Sequence, residues 1–388
     1  MQLGRNTFLI LFKSIIVEIL NLFIKRQNNL WLFSSTKNMK YNYNSKYLFE
    51  YILKNNPEIK AKFVINDKRK REALTAEHGN HFVETRSLKG MINALKASVW
   101  ITSVGFPVHL IFSRYNRMII NLWHGVPLKK IALLEEDVSF IKKIYIKLFH
   151  SMNYSFVLTT SENLVDIYTR SFHVNRSKIK ILGQPRNDLL NNSTERNAVL
   201  EKIYHELPDY KYLILYAPTF RDKSKTILFP FLDFDIDQIN TWLSKNNAII
   251  FIRFHQSETK DLKLNNSNRI LYINDDVVED IMEVLYIFDL LITDYSSLYI
   301  DHLILQKPQL FLPYDLNEYI KTRGLNFNYN EVTPGPKPST QKEFLLEIEK
   351  LIKIPSYYSI ERAHLNNYFN QILKDNCFNI TNFIKNIK

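Results

Sequence analysis

The sequence predicts an α/β protein built on two doubly wound parallel sheets, and three observations predict it. Short β-rich runs alternate with helical patterns along nearly all of the 388 residues, the signature of strand–helix–strand units. Runs such as YLILY, AIIFI and LLI are apolar throughout, as parallel strands covered on both faces must be. The candidate strands are too many for one sheet, and the length suits two domains of about 150–200 residues.

The elements follow in order. Phe8 to Ile24 is largely apolar but is broken by Lys13, Ser14, Glu18 and Asn21. Thr7, Ser14, Glu18, Asn21 and Lys25 share one face of a helix, with Phe8, Leu11, Ile15, Ile19 and Leu22 among the residues elsewhere. No run reaches the roughly 18 apolar residues that a membrane span needs. Residues 1–28 are therefore expected to be an amphipathic segment, lying in a membrane interface or docked on its own domain. Strands are expected at Leu30–Ser34, Ala61–Ile65, Val99–Ser103, Met118–Trp123, Ser155–Thr160 and Lys178–Leu182. After a polar stretch from Asn187 to Arg196 they resume at Tyr212–Tyr216, Ala248–Phe254, Ile270–Ile273, Leu290–Thr293 and Gln309–Leu312. Helical spacing lies between them at Lys46–Leu53, Leu88–Ala97, Glu162–Ser171, Val278–Ile287 and Ser297–Leu305. The polar stretch divides the chain into domains of residues 29–190 and 191–388, the second ending in a helical tail.

Composition narrows the function. With 46% hydrophobic and 13% aromatic residues, disordered, collagen-like and disulfide-scaffold classes are excluded. Lys and Arg number 51 against 39 acidic residues, a net charge of +12, which favours polyanionic partners or simply keeps the protein soluble. Basic residues are spread along the chain rather than clustered among aromatics, which argues against nucleic acid. The single cysteine, Cys377, excludes an internal disulfide or a cysteine zinc site. No GxGxxG, Walker, HExxH or GxSxG sequence occurs, so neither a glycine-rich phosphate loop nor a metal site is read.

Ligands of doubly wound domains collect at the carboxyl ends of strands, and five polar clusters fall there. In NLWHGVPLKK, His124 leaves a strand and is either a general base or a polar turn histidine. In GQPRNDLL, Arg186 pairs with Asp188 or offers its guanidinium to a phosphate. In YAPTFRD, Thr219 lies in a turn and Arg221 is a phosphate ligand or an exposed loop arginine. In FIRFH, Arg253 and His255 alternate on one strand face, and a buried arginine calls for an anion. In LLITDYSSLYID, Thr293 and Asp294 end a strand and Ser296 and Ser297 begin a helix. That helix start is a phosphate site or an ordinary serine cap. Asp301 falls on roughly the same face and is a candidate for a ribose hydroxyl.

WHGVPLKK, GQPRNDLL, YAPTFRD, RFH, TDYSSLYID and KPQLFLPYDLNEY, in this order, resemble the CDP-glycerol glycerophosphotransferase family of teichoic acid and capsule enzymes. RGLNFNYNEVTPGP, Arg323 to Pro336, is similar to a further segment of that family, and NLWLFSSTKNMKYNYNSKYLFEYIL to its first strand and helix. The chain departs from the family at Val126, Gln256 and Ile300, which bears on the donor's polyol more than on the reaction class. The resemblance implies a GT-B-like fold of two Rossmann-like domains facing across a cleft, residues 29–190 on the acceptor side and 191–388 holding the nucleotide. It implies transfer of glycerol phosphate, or ribitol or another polyol phosphate, from a CDP-linked donor to a lipid-linked saccharide or polyol-phosphate acceptor, with release of CMP. It further implies peripheral attachment to an anionic membrane at its cytoplasmic face, and no cofactor. His124 and His255 are then the catalytic candidates. Arg186, Thr219, Arg221, Arg253, Thr293, Asp294, Ser296, Ser297 and Asp301 are the donor-binding ones. A sugar-nucleotide glycosyltransferase on the same fold is the rival, although no hexose-recognising carboxylates stand out.

Overall fold

The computed structural model describes residues 17–108, 117–191, 195–221, 225–254 and 267–387. The chain divides into two compact units. Unit 1 comprises residues up to Gly125, Ile131–Asp188 and Gln371–Lys388, and unit 2 comprises Val126–Lys130 and Leu189–Asn370.

Unit 1 carries a seven-stranded parallel sheet of β1 (Gln27–Ser34), β2 (Lys60–Val64), β3 (Phe82–Val83), β4 (Ala97–Thr102), β5 (Met118–Asn121), β6 (Phe156–Thr159) and β7 (Ile179–Ile181), in the order 3-2-1-4-5-6-7. Unit 2 carries a five-stranded parallel sheet of β8 (Tyr212–Ala217), β9 (Ala248–Ile252), β10 (Ile270–Tyr272), β11 (Leu290–Thr293) and β12 (Gln309–Phe311), in the order 10-9-8-11-12. Both orders are doubly wound. Their reversal points, where such sheets open a ligand crevice, lie between β1 and β4 and between β8 and β11.

The expected strands are all present to within a few residues, and β3, only two residues long, is additional. Burial explains the legibility: every residue of β4, β9, β11 and β12 is buried. The helix expected at Val278–Ile287 is two 3-10 turns instead. Asp280 caps the first by accepting from Met282 N, and Val284, at φ −126°, interrupts the helical path between them.

The tail differs from the expected boundary. The helix Asn376–Ile387 belongs to unit 1, where Cys377, Ile380 and Ile384 pack into the core with Trp31, Phe49 and Phe63. Asp188 holds its N-terminus, Oδ1 accepting from Asn376 N at 2.9 Å and Oδ2 from Cys377 N at 2.8 Å. Gly183 approaches the same helix so closely that a β-carbon there would lie 1.7 Å from Asn376 Oδ1.

Residues 1–16 of the amphipathic segment lie outside the described residues, and residues 17–23 are helical. Asn21, expected on the solvent-facing stripe, is 6% exposed and accepts from Arg26 and Arg117. Ile19, Leu22 and Phe23 project outward instead. Among the described residues no helix is long and apolar enough to cross a membrane.

Candidate functional site

In unit 1 the site is built around the turn that follows β5. Trp123 takes a left-handed φ of 53° and Gly125 a φ of 143°, so the chain turns sharply on either side of His124. Trp123 N donates to Asn121 Oδ1 at 2.9 Å, and Asn44 Nδ2 donates to Trp123 O at 2.9 Å and to Gln184 Oε1 at 3.2 Å. The imidazole of His124 stacks on Tyr43 with ring centroids 5.0 Å apart and lies tilted against Trp123 at 4.1 Å. Its Nδ1 lies 3.3 Å from Ser103 O. A carbonyl can only accept, so Nδ1 carries the proton and Nε2 is left with its lone pair. Burial, with a smaller push from Arg186, lowers the pKa to about 4 despite the Ser103 contact. The imidazole is therefore neutral at pH 7, the form a general base requires.

Arg186 joins this turn. Its Nη1 donates to His124 O at 3.1 Å, and its backbone N donates to Asn44 Oδ1 at 3.2 Å. The ion-pair alternative gives way to geometry, because Asp188 directs both oxygens to the last helix. Arg186 and His124 belong to unit 1, whereas the other expected donor-binding residues belong to unit 2.

In unit 2 the ends of β8 and β11 are joined at the reversal point. Thr293 Oγ1 donates to Ala217 O at 2.7 Å, and Asp294 Oδ1 accepts from Thr219 N at 2.8 Å. Arg221 lies behind this junction, 5% exposed. Its Nε and Nη2 fork onto Asp315 at 2.7 and 2.9 Å. Its Nη1 donates to Thr219 O at 2.5 Å and stands 2.9 Å from Asp294 Oδ2. The rings of Tyr295, Tyr314 and Tyr319 lie 4.9 to 5.2 Å from the guanidinium. Burial opposes the charge, but Asp315 and Asp294 outweigh it and raise the pKa of Arg221 above its ordinary value.

Several expected ligands are engaged by the protein's own groups. Arg221 is a buried tie between two carboxylates. Arg253 clamps the loop after β10, donating to Ile273 O, Val278 O, Glu279 O and Asp275 Oδ1 at 2.7–3.1 Å. Thr293 and Asp294 brace the β8–β11 junction. Asp301, one turn further along the helix than the half-buried Ser297, is 0% exposed. Thr219, Ser296 and Ser297 remain half-buried at the strand ends. Ser296 Oγ accepts from Leu298 N at 3.3 Å, while Ser297, at the cap position itself, makes no side-chain cap bond. His255 lies outside the described residues.

Sequence reasoning missed the groups that position the site. Asp315 and Tyr319 sit in PYDLNEY, where the signal was a motif without an assigned role. The VPLKK and RGLN segments form one clasp within unit 2. Asn326 Nδ2 donates to Pro127 O at 2.7 Å and to Lys129 O at 2.9 Å, and Lys129 bridges Leu325. Among the described residues no cluster of three metal-ligating side chains occurs.

The two doubly wound parallel sheets define a GT-B-like fold. The wall teichoic acid polymerase TagF superposes with a TM-score of 0.79 at 24% identity, covering 98% of this chain and 97% of that one. A UDP-GlcNAc 2-epimerase from Neisseria meningitidis superposes with a TM-score of 0.55 at 13% identity, over 92% of this chain and 99% of that one. The family described as CDP-Glycerol:Poly(glycerophosphate) glycerophosphotransferase matches residues 16–379, and the chain belongs to it. The teichoic acid poly(glycerol phosphate) polymerase of Bacillus subtilis is 30% identical over 89% of this chain, which spans 46% of that polymerase. The teichoic acid glycerol-phosphate transferase of Staphylococcus aureus is 28% identical over 91% of this chain and 92% of its own length.

Proposed function

We propose that the protein transfers glycerol phosphate from CDP-glycerol to a hydroxyl of a teichoic acid-type acceptor and releases CMP. The observation that carries this is His124, a neutral imidazole with Nδ1 fixed on Ser103 O at the carboxyl end of β5, in a chain of this family. The acceptor oxygen bonds to the phosphorus that bears glycerol, the bond from that phosphorus to the CMP oxygen breaks, and the acceptor proton passes to His124 Nε2. Phosphoryl transfer of this kind depends on positioning and charge neutralisation. The hydroxyls of Thr219, Ser296 and Ser297 are assigned to the donor's phosphates. Arg186 and His255 are assigned as further cationic contacts, His255 on the resemblance alone. Arg221, Asp294 and Asp315 hold that surface in shape.

The acceptor is assigned to the cytoplasmic face of the membrane, on a lipid carrier. Supporting this are Phe140, Ile141 and Ile144, exposed on one face of the helix Phe140–Tyr145, with Lys143 beside them and Lys142 paired with Glu135. Apolar groups flanked by lysines favour an anionic interface. The test supplies CDP-glycerol, CDP-ribitol and a UDP-sugar with membrane acceptor and measures CMP or UDP release. Release from CDP-glycerol alone supports the assignment; CMP only from CDP-ribitol changes the polyol, and UDP release alone overturns the class.

A further inference from the structure

At the end of the unit 1 sheet remote from His124, β1, β2 and β3 form the floor of a cavity of about 550 Å³. Parallel register pairs Leu30 with Lys60, Leu32 with Lys62 and Val64 with Val83. Side chains alternate along strands, so these residues share one face, while Trp31, Phe33 and Phe63 pack into the core on the other. Leu30, Leu32, Ile59 and Val83 give the cavity an apolar base. Lys60, Lys62, Lys96 and His81 surround it, and no carboxylate lines it. Of the acidic neighbours in sequence, Glu58 is paired with Lys385 at 2.8 Å and Glu84 accepts from the backbone N of Arg86 and Ser87. Gln27, which also lines the cavity, lies four residues after Phe23, the last residue of the helical stretch from which Ile19, Leu22 and Phe23 project.

We propose that this cavity binds a single anionic lipid, its acyl chain on the Leu30–Leu32–Val83 floor and its phosphate among Lys60, Lys62 and Lys96. The volume falls in the range of about 300–1,000 Å³ typical of small-molecule sites and exceeds what a lone phosphate needs. An apolar floor ringed by cations is complementary to an amphiphile with a negative head. Ile19, Leu22 and Phe23, exposed a few residues before Gln27 in the chain, add apolar surface to the same unit. The proposal rests on the membrane-face reading, and it adds a discrete lipid site distant from the transfer chemistry.

The test uses the full chain and dihexanoyl phosphatidylglycerol below its micelle concentration, with dihexanoyl phosphatidylcholine and glycerol 3-phosphate as controls, followed by calorimetry. Saturable binding is expected for phosphatidylglycerol, about tenfold weaker for phosphatidylcholine and absent for glycerol 3-phosphate. Lys60→Glu with Lys96→Glu should weaken it about tenfold, and Val83→Trp should remove it by filling the floor, each leaving CMP release from a soluble acceptor unchanged. Equal binding of glycerol 3-phosphate, phosphatidylglycerol binding undiminished in both variants, or protein self-association in place of lipid binding each overturns the proposal. Flotation of the unmodified chain on phosphatidylglycerol vesicles tests the membrane-face reading separately, since the monomeric probe presents no bilayer.

Discussion

Asp315 grips Arg221 with both carboxylate oxygens, Nε to Oδ2 at 2.7 Å and Nη2 to Oδ1 at 2.9 Å. The same Asp315 oxygen that meets Nη2 accepts from Tyr295 at 2.8 Å, so one loop carboxylate organises the arginine and the aromatic ring over it. Arg221 in turn bonds Thr219 O. The shape of the surface after β8 therefore depends on a residue 94 positions away in sequence.

Asp315→Asn should expose that dependence. An amide cannot accept on both atoms, and Arg221 then keeps only Asp294 as a charge partner. Removing one member of a buried pair costs about 3–5 kcal/mol; with Asp294 retained, a loss of about 2–4 kcal/mol is expected in urea unfolding. Donor KM should rise because Thr219 shifts with Arg221. Stability within about 0.5 kcal/mol of the unmodified protein would show that the fork is not holding the junction.

Arg253→Lys separates clamping from ligand contact. A guanidinium fork reaches Ile273 O, Val278 O and Glu279 O at once, which a single ammonium cannot reproduce. The expected result is a loss of about 1–3 kcal/mol in stability, with donor affinity in the folded protein changed less than about threefold. A tenfold fall in donor affinity without a change in melting temperature would return Arg253 to the phosphates.

Most of the fold was legible because buried parallel strands are written as uninterrupted apolar runs, and β9 and β11 show it in AIIFI and LLIT. The position of His124 was legible for a related reason, since a polar residue directly after such a run stands at a carboxyl edge. The roles of Arg221 and Arg253 were not legible. A guanidinium after a strand looks the same whether its partner is a ligand or a carboxylate on a distant loop. Asp301 shows another limit: helical spacing gives the face a residue shares, but not how deep each position on it lies. The packing of Asn21 inward reversed the amphipathic stripe for the same reason, with Arg117 as the partner.

His124→Ala should lower turnover by about 10²–10⁴-fold, the usual contribution of a general base, while donor affinity changes little. The pH profile carries more information. With the folded pKa lowered to about 4 by burial, the imidazole stays a base down through pH 5, where an ordinary histidine near 6.5 is mostly protonated. The acid limb of kcat/KM in the unmodified enzyme should therefore fall near pH 4. The unfolded chain takes the proton first, so this group's contribution to stability is complete above about pH 6.5 and is lost as the pH falls toward 4. An acid limb at pH 6.5 that persists in His124→Asn would remove His124 from the proton transfer.

The N-terminal stretch sets two roles against each other, and substitution separates them where truncation would not. Asn21 and Val17 are buried against unit 1, and Asn21 takes part in the hydrogen bonds of Arg117, which also donates to Leu95 O and Ala97 O and lies 3.9 Å from the Trp100 ring. Deleting residues 17–26 would uncover a buried guanidinium and confuse lost anchoring with lost folding. Leu22 and Phe23 are 78% and 83% exposed, so their replacement removes nothing from the core. Leu22→Ser with Phe23→Ser should leave the unfolding midpoint unchanged, since exposed substitutions of this kind shift stability by about 0.5 kcal/mol or less. Burial of two such side chains in lipid is worth about 1.5–3 kcal/mol each, so flotation with phosphatidylglycerol vesicles should fall by more than tenfold. CMP release with a soluble acceptor should be preserved. A doubly substituted protein that floats as well as the original would mean that Leu22 and Phe23 do not enter the membrane.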